Sequence, residues 1–255
     1  LPAIPFEELH VEDTKGLVAW LKGALKGVSA RHYIRAIAIT THGATCATLD
    51  EKGELSYPVI DYASAVDEQA IRDFFEEFGA EIDLHRETGT ADFGFINVGK
   101  ILYYLMTRKP DAWELTRHVL FYPQYLGYLI TGAMAMDFTC LGNHTYLWDI
   151  EYGKWSSVGI KLGAPRMCPS RLSAPWATLG TPKASWVKAC GLDPNCRVTV
   201  GIHDSNSSLL PTIAKGIENF VLNSTGTWCV GMRASQEYRL TETELLTKTF
   251  YQLDA

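Results

Sequence analysis

The stretch "VTVGIHDSNSSLLP", Val198 to Pro211, sets a run of apolar β-formers directly against a Gly-x-His-Asp and a row of small hydroxyl residues. The pattern predicts a strand, a sharp turn and a helix N-terminus, the junction at which α/β proteins hold ligands. An aspartate at such a place, ionised at neutral pH, can take a proton or hold a metal. The positive end of the helix favours its charge. Capping competes with chemistry as the role of Asp204, because aspartate is a favoured N-cap residue. The adjacent His203 argues for chemistry, since a cap needs no imidazole beside it.

Three other clusters carry groups of the same kind. In "NSTGTWCVGM", Gly226 stands between Thr225 and Thr227 and supplies a turn whose backbone N–H groups and hydroxyls can face an anion. That makes a phosphate cradle or a plain hairpin turn, and it is neither a Walker A loop nor a G-x-G-x-x-G. In "TTHGATCATLD", His42 and Gly43 end an apolar segment. The histidine there suits a substrate hydroxyl or a structural bend, and the glycine admits close approach to the backbone. In "DFTCLGNHTYLWD", Asn143, His144 and Thr145 form a polar island of amide, imidazole and hydroxyl that suits a polyol or a loop. "FINVGKILYYL" reads as an amphipathic helix whose Asn97 could reach a pocket, the rest of it patterned as core and surface. A metal site built from His42, His144, His203 and Asp204, as in a hydrolase, is an alternative. No two of these histidines have the H-x-H or H-x-x-x-H spacing that usually marks one.

The elements that must position these groups alternate between strand and helix, which means an α/β fold. Asp13-Thr14 caps a helix through "KGLVAWLKGALKGV", whose apolar residues share one face. "IRAIAITT", residues 34–41, reads as a buried strand, and "ATCATLDEKGELSYPVID" as a hairpin turning at Asp50 to Gly53. Helical patterns follow at 67–78, 95–107 and 113–117. "HVLFYPQYLGYLITG" is a strand entering a helix, with Pro123 in its first turn and Gly132 past its end. Residues 133–180 read as loop-rich. "CRVTVGI" is a strand, "DSNSSLLPTIAKG" a helix, and "ENFVLNSTGTWCVGMRA" two strands around a tight turn. A domain boundary is expected near Gly216, giving residues 1–216 and 217–255.

The 255 residues are enough to bury a core. A formal net charge of −6 without a Lys/Arg cluster argues against a nucleic-acid partner. No apolar run is long enough for a membrane span. Six cysteines without a C-x-x-C read as buried, reduced thiols of a cytoplasmic protein, a Cys190–Cys196 disulfide being the less favoured reading.

Taken together and in order, "IAITTHGATCATLDEKGEL", "YPQYLGYLITG", "GIHDSNSSL" and "NSTGTW" resemble the FGGY family of carbohydrate kinases, which share the actin-like, ribonuclease-H-like ATPase fold. The G-x-H-D form and the Trp after Gly-Thr look most like the branch acting on rhamnulose, fuculose and similar ketoses. The resemblance implies ATP and Mg²⁺ as cofactors and a sugar as substrate, and it allows a homodimer. It implies that Asp204 is the catalytic base, that His203, His42 and Gly43 line the sugar site with His144 and Asn97, and that Thr225, Gly226 and Thr227 touch ATP phosphates. The metal ligands are not implied. An Asp-x-Gly strand turn and a Gly-rich adenine segment, both expected of such kinases, do not occur in these residues. Turnover is therefore expected only of a protein that carries both, and a sugar-binding regulatory module without kinase activity is the non-enzyme alternative.

Overall fold

The strand expected over residues 34–41 forms, but in two pieces, Ala36–Ile37 and Thr40–Thr41. The reason lies in its partner. Arg197–Thr199 runs parallel to the first piece and Ile202–His203 parallel to the second, in the register His203 opposite Thr41. Between them Gly201 has φ of 100°, and a Cβ there would lie 3.0 Å from Pro123 Cβ and 3.2 Å from the Ile39 carbonyl. Only glycine fits that bend and that approach. Thr178–Gly180 adds an antiparallel neighbour to Arg197–Thr199, with a shift of register between Thr178 and Gly180. The computed structural model, a mixed α/β arrangement, describes residues 2–66, 68–225, 229–235 and 237–253.

The expected hairpin over 44–61 needs correction. Its turn is present: Gly53 N–H donates to the Asp50 carbonyl at 3.0 Å, and Asp50 Oδ1 accepts from the N–H groups of Lys52 and Glu54. The return arm, however, meets Cys46–Leu49 at one isolated bridge, Leu49 to Leu55, while its Ile60 bridges Val11. The ladder of Cys46–Leu49 is made instead with His118–Phe121, antiparallel, with Cys46 opposite Phe121. All four residues of Cys46–Leu49 are buried, so the strand needs a partner inside the core. Pro58 in the return arm has no N–H to offer a ladder.

The helices follow their local signals more closely. Thr14–Ser29 is capped by Asp13, whose carboxylate accepts from Gly16 N–H at 2.9 Å. Glu68–Phe78 and Val98–Arg108 match expectation to within a few residues, while the segment expected at 113–117 is the helix Pro110–Leu115, begun by its proline. Tyr122–Thr131 carries Pro123 in its first turn and ends on left-handed Gly132. Phe74, Leu102, Tyr146 and Val158 centre the largest core cluster. Residues 133–180 are less irregular than their composition suggests, holding the short helices Phe138–Leu141, Ser157–Lys161 and Ala164–Met167.

Leu222–Thr225 and Cys229–Met232 form the expected antiparallel pair, with its turn at 226–228 outside the described residues. The chain then returns across the molecule. Tyr251 N–H donates to the Gly89 carbonyl at 2.8 Å, the Thr249 carbonyl lies 2.7 Å from His85 Nε2, and the Leu253 carbonyl accepts from Asn206. All six cysteines are free thiols, Cys190 and Cys196 included. Among the described residues no helix is long and apolar enough to cross a membrane.

Candidate active site

The parallel pairing of Thr40–Thr41 with Ile202–His203 decides where the reactive side chains go. With His203 opposite Thr41, the next residues on each strand, His42 and Asp204, emerge at the same end. A cavity of about 420 Å³ opens there, and His42, Gly43, His144, His203 and Asp204 all line it. Ser205, Ser224 and Thr225 add hydroxyls, Tyr62, Phe93, Ile96 and Phe250 give apolar surface, and Gln252 completes the wall. Carboxyl ends of parallel strands are the usual ligand position in α/β folds.

Asp204 is the first residue of the helix Asp204–Ile213, not its cap. The cap position belongs to His203, which makes no side-chain capping bond. The Asp204 side chain is about half exposed, at 54%, within the cavity wall. Its Oδ1 accepts from Ser205 N–H at 2.6 Å and lies 3.3 Å from His203 Nε2, while Oδ2 accepts no hydrogen bond from a described residue. A carboxylate held by one oxygen and open at the other is well placed to receive a proton.

His203 is buried and fixed on several sides. Its N–H donates to Thr139 Oγ1 at 3.0 Å, and that hydroxyl donates to the buried carboxylate of Asp137. Asp137 also accepts from Gln124, whose amide reaches the Val200 and Gly201 carbonyls as well. Burial holds the His203 imidazolium pKa below its ordinary value, against the pull of Asn206, Asp204 and Asp137. Gly43 packs directly on this ring: a Cβ there would stand 2.9 Å from Asn143 Nδ2 and 3.0 Å from His203 Cδ2.

His42 lies between the rings of Tyr62 and Tyr122, with centroids 4.7 and 5.3 Å away, and its Nε2 is 3.1 Å from Thr45 Oγ1. Burial lowers its pKa, partly offset by the charges of Asp204 and Asp61. His144 adopts a left-handed φ of 51°, uncommon for a residue with a side chain. Its ring packs on Phe250 at 5.0 Å, and burial pushes its pKa down to about 4. The buried atoms His144 Nδ1, Asn143 Oδ1 and Gln252 Oε1 have no hydrogen-bond partner among the described residues. Three such atoms at or beside one cavity leave positions that ligand hydroxyls would fill.

Not every expected site residue is there. Asn97 is a correction: it is the N-cap of Val98–Arg108, buried, with its amide oxygen accepting from Lys100 N–H at 3.3 Å, and it does not line the cavity. Thr225 lines the cavity, but Gly226 and Thr227 lie outside the described residues. Asn206, Phe250 and Gln252 carry no sequence signal of a site. Asn206 reads as part of a serine-rich helix, and the other two reach the cavity only through the return of the chain. Among the described residues no three His, Cys, Asp or Glu side chains converge as a metal centre would require.

Residues 5–211 match the N-terminal domain of the FGGY family of carbohydrate kinases. The chain belongs to that family. It is 28% identical over 217 residues to L-fuculokinase of Escherichia coli K12, covering 85% of this chain and 44% of that protein. It is 26% identical over 193 residues to rhamnulokinase of Enterococcus faecalis, covering 75% and 38%. Both fall in the branch that the G-x-H-D form suggested. A carbohydrate kinase from Novosphingobium aromaticivorans superposes with a TM-score of 0.82 at 28% identity, over 93% of this chain and 50% of that one. Xylulose kinase from Lactobacillus acidophilus, at 19% identity, shares the fold with a TM-score of 0.72. The actin-like fold of FGGY kinases is therefore the fold of this chain. The chain spans less than half the length of the two curated relatives.

Proposed function

We propose that this protein transfers a phosphoryl group from ATP to a hydroxyl of a ketose or related sugar, with Asp204 as general base. One observation carries the proposal. The open carboxylate of Asp204 and the hydroxyls of Ser224 and Thr225 line the same cavity as three histidines. Residues 1–216 then form the sugar-binding domain, and residues 217–255 begin the domain that holds the nucleotide.

The residues divide the work by their chemistry. Phosphoryl transfer passes through a loose transition state, so placement and charge matter more than covalent chemistry. Asp204 Oδ2 accepts the proton of the attacking hydroxyl, and a carboxylate within about 3 Å also orients that hydroxyl. His203 and His42 contact neighbouring hydroxyls as neutral rings, the state that burial favours for both. Phe93, Ile96 and Phe250 shield the site from water that would otherwise compete as acceptor. Thr225 and Ser224 offer hydroxyls to phosphate oxygens. Mg²⁺, when bound with the nucleotide, would neutralise phosphate charge; among the described residues no three His, Cys, Asp or Glu side chains gather to hold it. Six free cysteines and ATP as co-substrate fit a cytoplasmic location.

The test is ADP release by the full-length protein over a panel of ketoses and polyols. Asp204→Asn keeps shape and removes the base. It is expected to lower turnover by about 10²- to 10⁴-fold while sugar affinity stays within about an order of magnitude. Undiminished turnover in this variant removes Asp204 from the mechanism. Sugar binding without ADP release from the parent protein would leave a binding module instead of a kinase.

A further inference from the structure

Asn206, one turn beyond His203, is 2% exposed, and the two ends of its amide have different partners. Nδ2 donates to the Leu253 carbonyl at 3.0 Å, and Oδ1 lies 2.7 Å from His203 Nδ1. The Leu253 oxygen can only accept, so the amide has one stable orientation; the flipped form would set two oxygens against each other. The amide oxygen that faces the ring also can only accept. His203 Nδ1 must therefore carry the hydrogen, which leaves Nε2 of the neutral ring with a bare lone pair.

That lone pair is open. Asn143 Nδ2 lies 3.0 Å from both ring nitrogens. An atom equidistant from the two at that range clears Cε1 only by sitting over the ring face, away from the in-plane lone pair. Asp204 Oδ1, 3.3 Å from Nε2, is a second acceptor. Two acceptors side by side repel until a hydrogen comes between or beside them, and a sugar hydroxyl brings one.

We propose that Asn206 is a positioning residue: it locks His203 in the Nδ1–H tautomer, so that Nε2 accepts from a sugar hydroxyl next to the one that Asp204 deprotonates. The proposal rests on the sugar-kinase reading of this cavity. It also gives the returning segment at Leu253 a role, because the Leu253 carbonyl fixes the amide that fixes the ring. A protonated His203 would instead donate to Asp204 and engage the base. The titratable groups facing the ring are Asp204, Asp137, His42 and His144, and burial outweighs the two carboxylates in keeping it neutral.

Long-range ¹H–¹⁵N spectra of histidine-labelled, ligand-free protein test the assignment without any turnover. His203 is identified by the signal lost in His203→Gln. The expected result at pH 8 is the Nδ1–H tautomer in the parent and its loss in Asn206→Leu, with sugar affinity weakened roughly threefold to tenfold. Asn206→Asp keeps an acceptor toward Nδ1 and adds charge. It should retain the tautomer, raise the ring pKa and move the acid limb of kcat/KM to higher pH. An Nε2–H ring in the parent, or an unchanged tautomer in Asn206→Leu, overturns the proposal. Should Asn206→Leu not fold, an unchanged ring pKa in Asn206→Asp does so. A wrong substrate assignment appears separately, as absent ADP release with the tautomer in place.

Discussion

Gly43→Ala adds one methyl group to the floor of the cavity and nothing else. The glycine does not have a left-handed φ, so alanine fits its backbone, and the whole effect must come from the new Cβ. That atom would stand 2.9 Å from Asn143 Nδ2, 3.0 Å from His203 Cδ2 and 3.1 Å from His203 Nε2, where ordinary contacts begin near 3.4 Å. The neighbours must retreat by about half an ångström. His203 has little freedom to do so, being held through Asn206 at 2.7 Å and through Thr139 at 3.0 Å. Overpacking of this kind costs about 1–3 kcal/mol. If the ring stays, the cost falls on stability and lowers Tm by roughly 2–4 °C for each kcal/mol in a chain of this size. If the ring gives way, the hydrogen bond proposed between His203 and the sugar is lost, and affinity falls by roughly tenfold for about 1.4 kcal/mol. Calorimetric titration with the best sugar, alongside thermal unfolding, separates the two. Gly23→Ala, in the Thr14–Ser29 helix with nothing within 4 Å of its Cβ, is the matched control and should be neutral or slightly stabilising. Sugar affinity within twofold of the parent, together with an unchanged Tm, would refute the close approach of Gly43 to His203.

The Lys100 side chain is 1% exposed, and its ammonium is bonded to Asp92 and, at 2.7 Å, to the Gly94 carbonyl, in the segment that carries Phe93 and Ile96 to the cavity. Asp92→Asn leaves that charge buried without its counter-ion and should destabilise by about 3–5 kcal/mol, whereas Lys100→Met removes the charge itself and should cost less. Denaturant midpoints check the order, and the reverse order would refute the buried pair. His144 titrates near pH 4 when folded and near 6.5 when unfolded, so between these values the unfolded chain binds more protons. Its contribution to stability is present above pH 6.5 and lost as pH falls toward 4. His144→Phe should flatten this part of the stability–pH curve, and an identical slope in parent and variant would show that the ring is not held neutral.

The parts of the fold written in neighbouring residues were legible in the sequence. The cap at Asp13, the proline and glycine around Tyr122–Thr131, and the turn at Asp50–Gly53 each depend on side chains within four residues of the backbone they serve. Pairing over long separations was not legible. Nothing local says that Cys46–Leu49 chooses His118–Phe121, because that choice follows from burial on both faces. Helices of four or five residues in 133–180 are too short for a 3.6-residue period to emerge. Asn97 shows how one signal can carry two meanings. An asparagine just before an apolar helical run is a cap by preference, and that role won over the cavity.

The site could be read in part because its chemistry sits in two short runs, His42-Gly43 and His203-Asp204, each at the end of an apolar strand. The sequence cannot show that these runs meet. The parallel register of His203 with Thr41 makes them neighbours, and the missing side chain at Gly43 lets one strand end close onto the other. The third contributor is less visible still. Phe250 and Gln252 come to the cavity from more than forty residues past Asp204, in a segment held by hydrogen bonds to His85, Gly89 and Asn206. A strand end supplies the carboxylate of Asp204, and the register sets which side chains stand beside it. The returning segment reaches the ring through Asn206, which donates to the Leu253 carbonyl and stands 2.7 Å from His203 Nδ1, so the surroundings of Asp204 depend on residues that no motif marks.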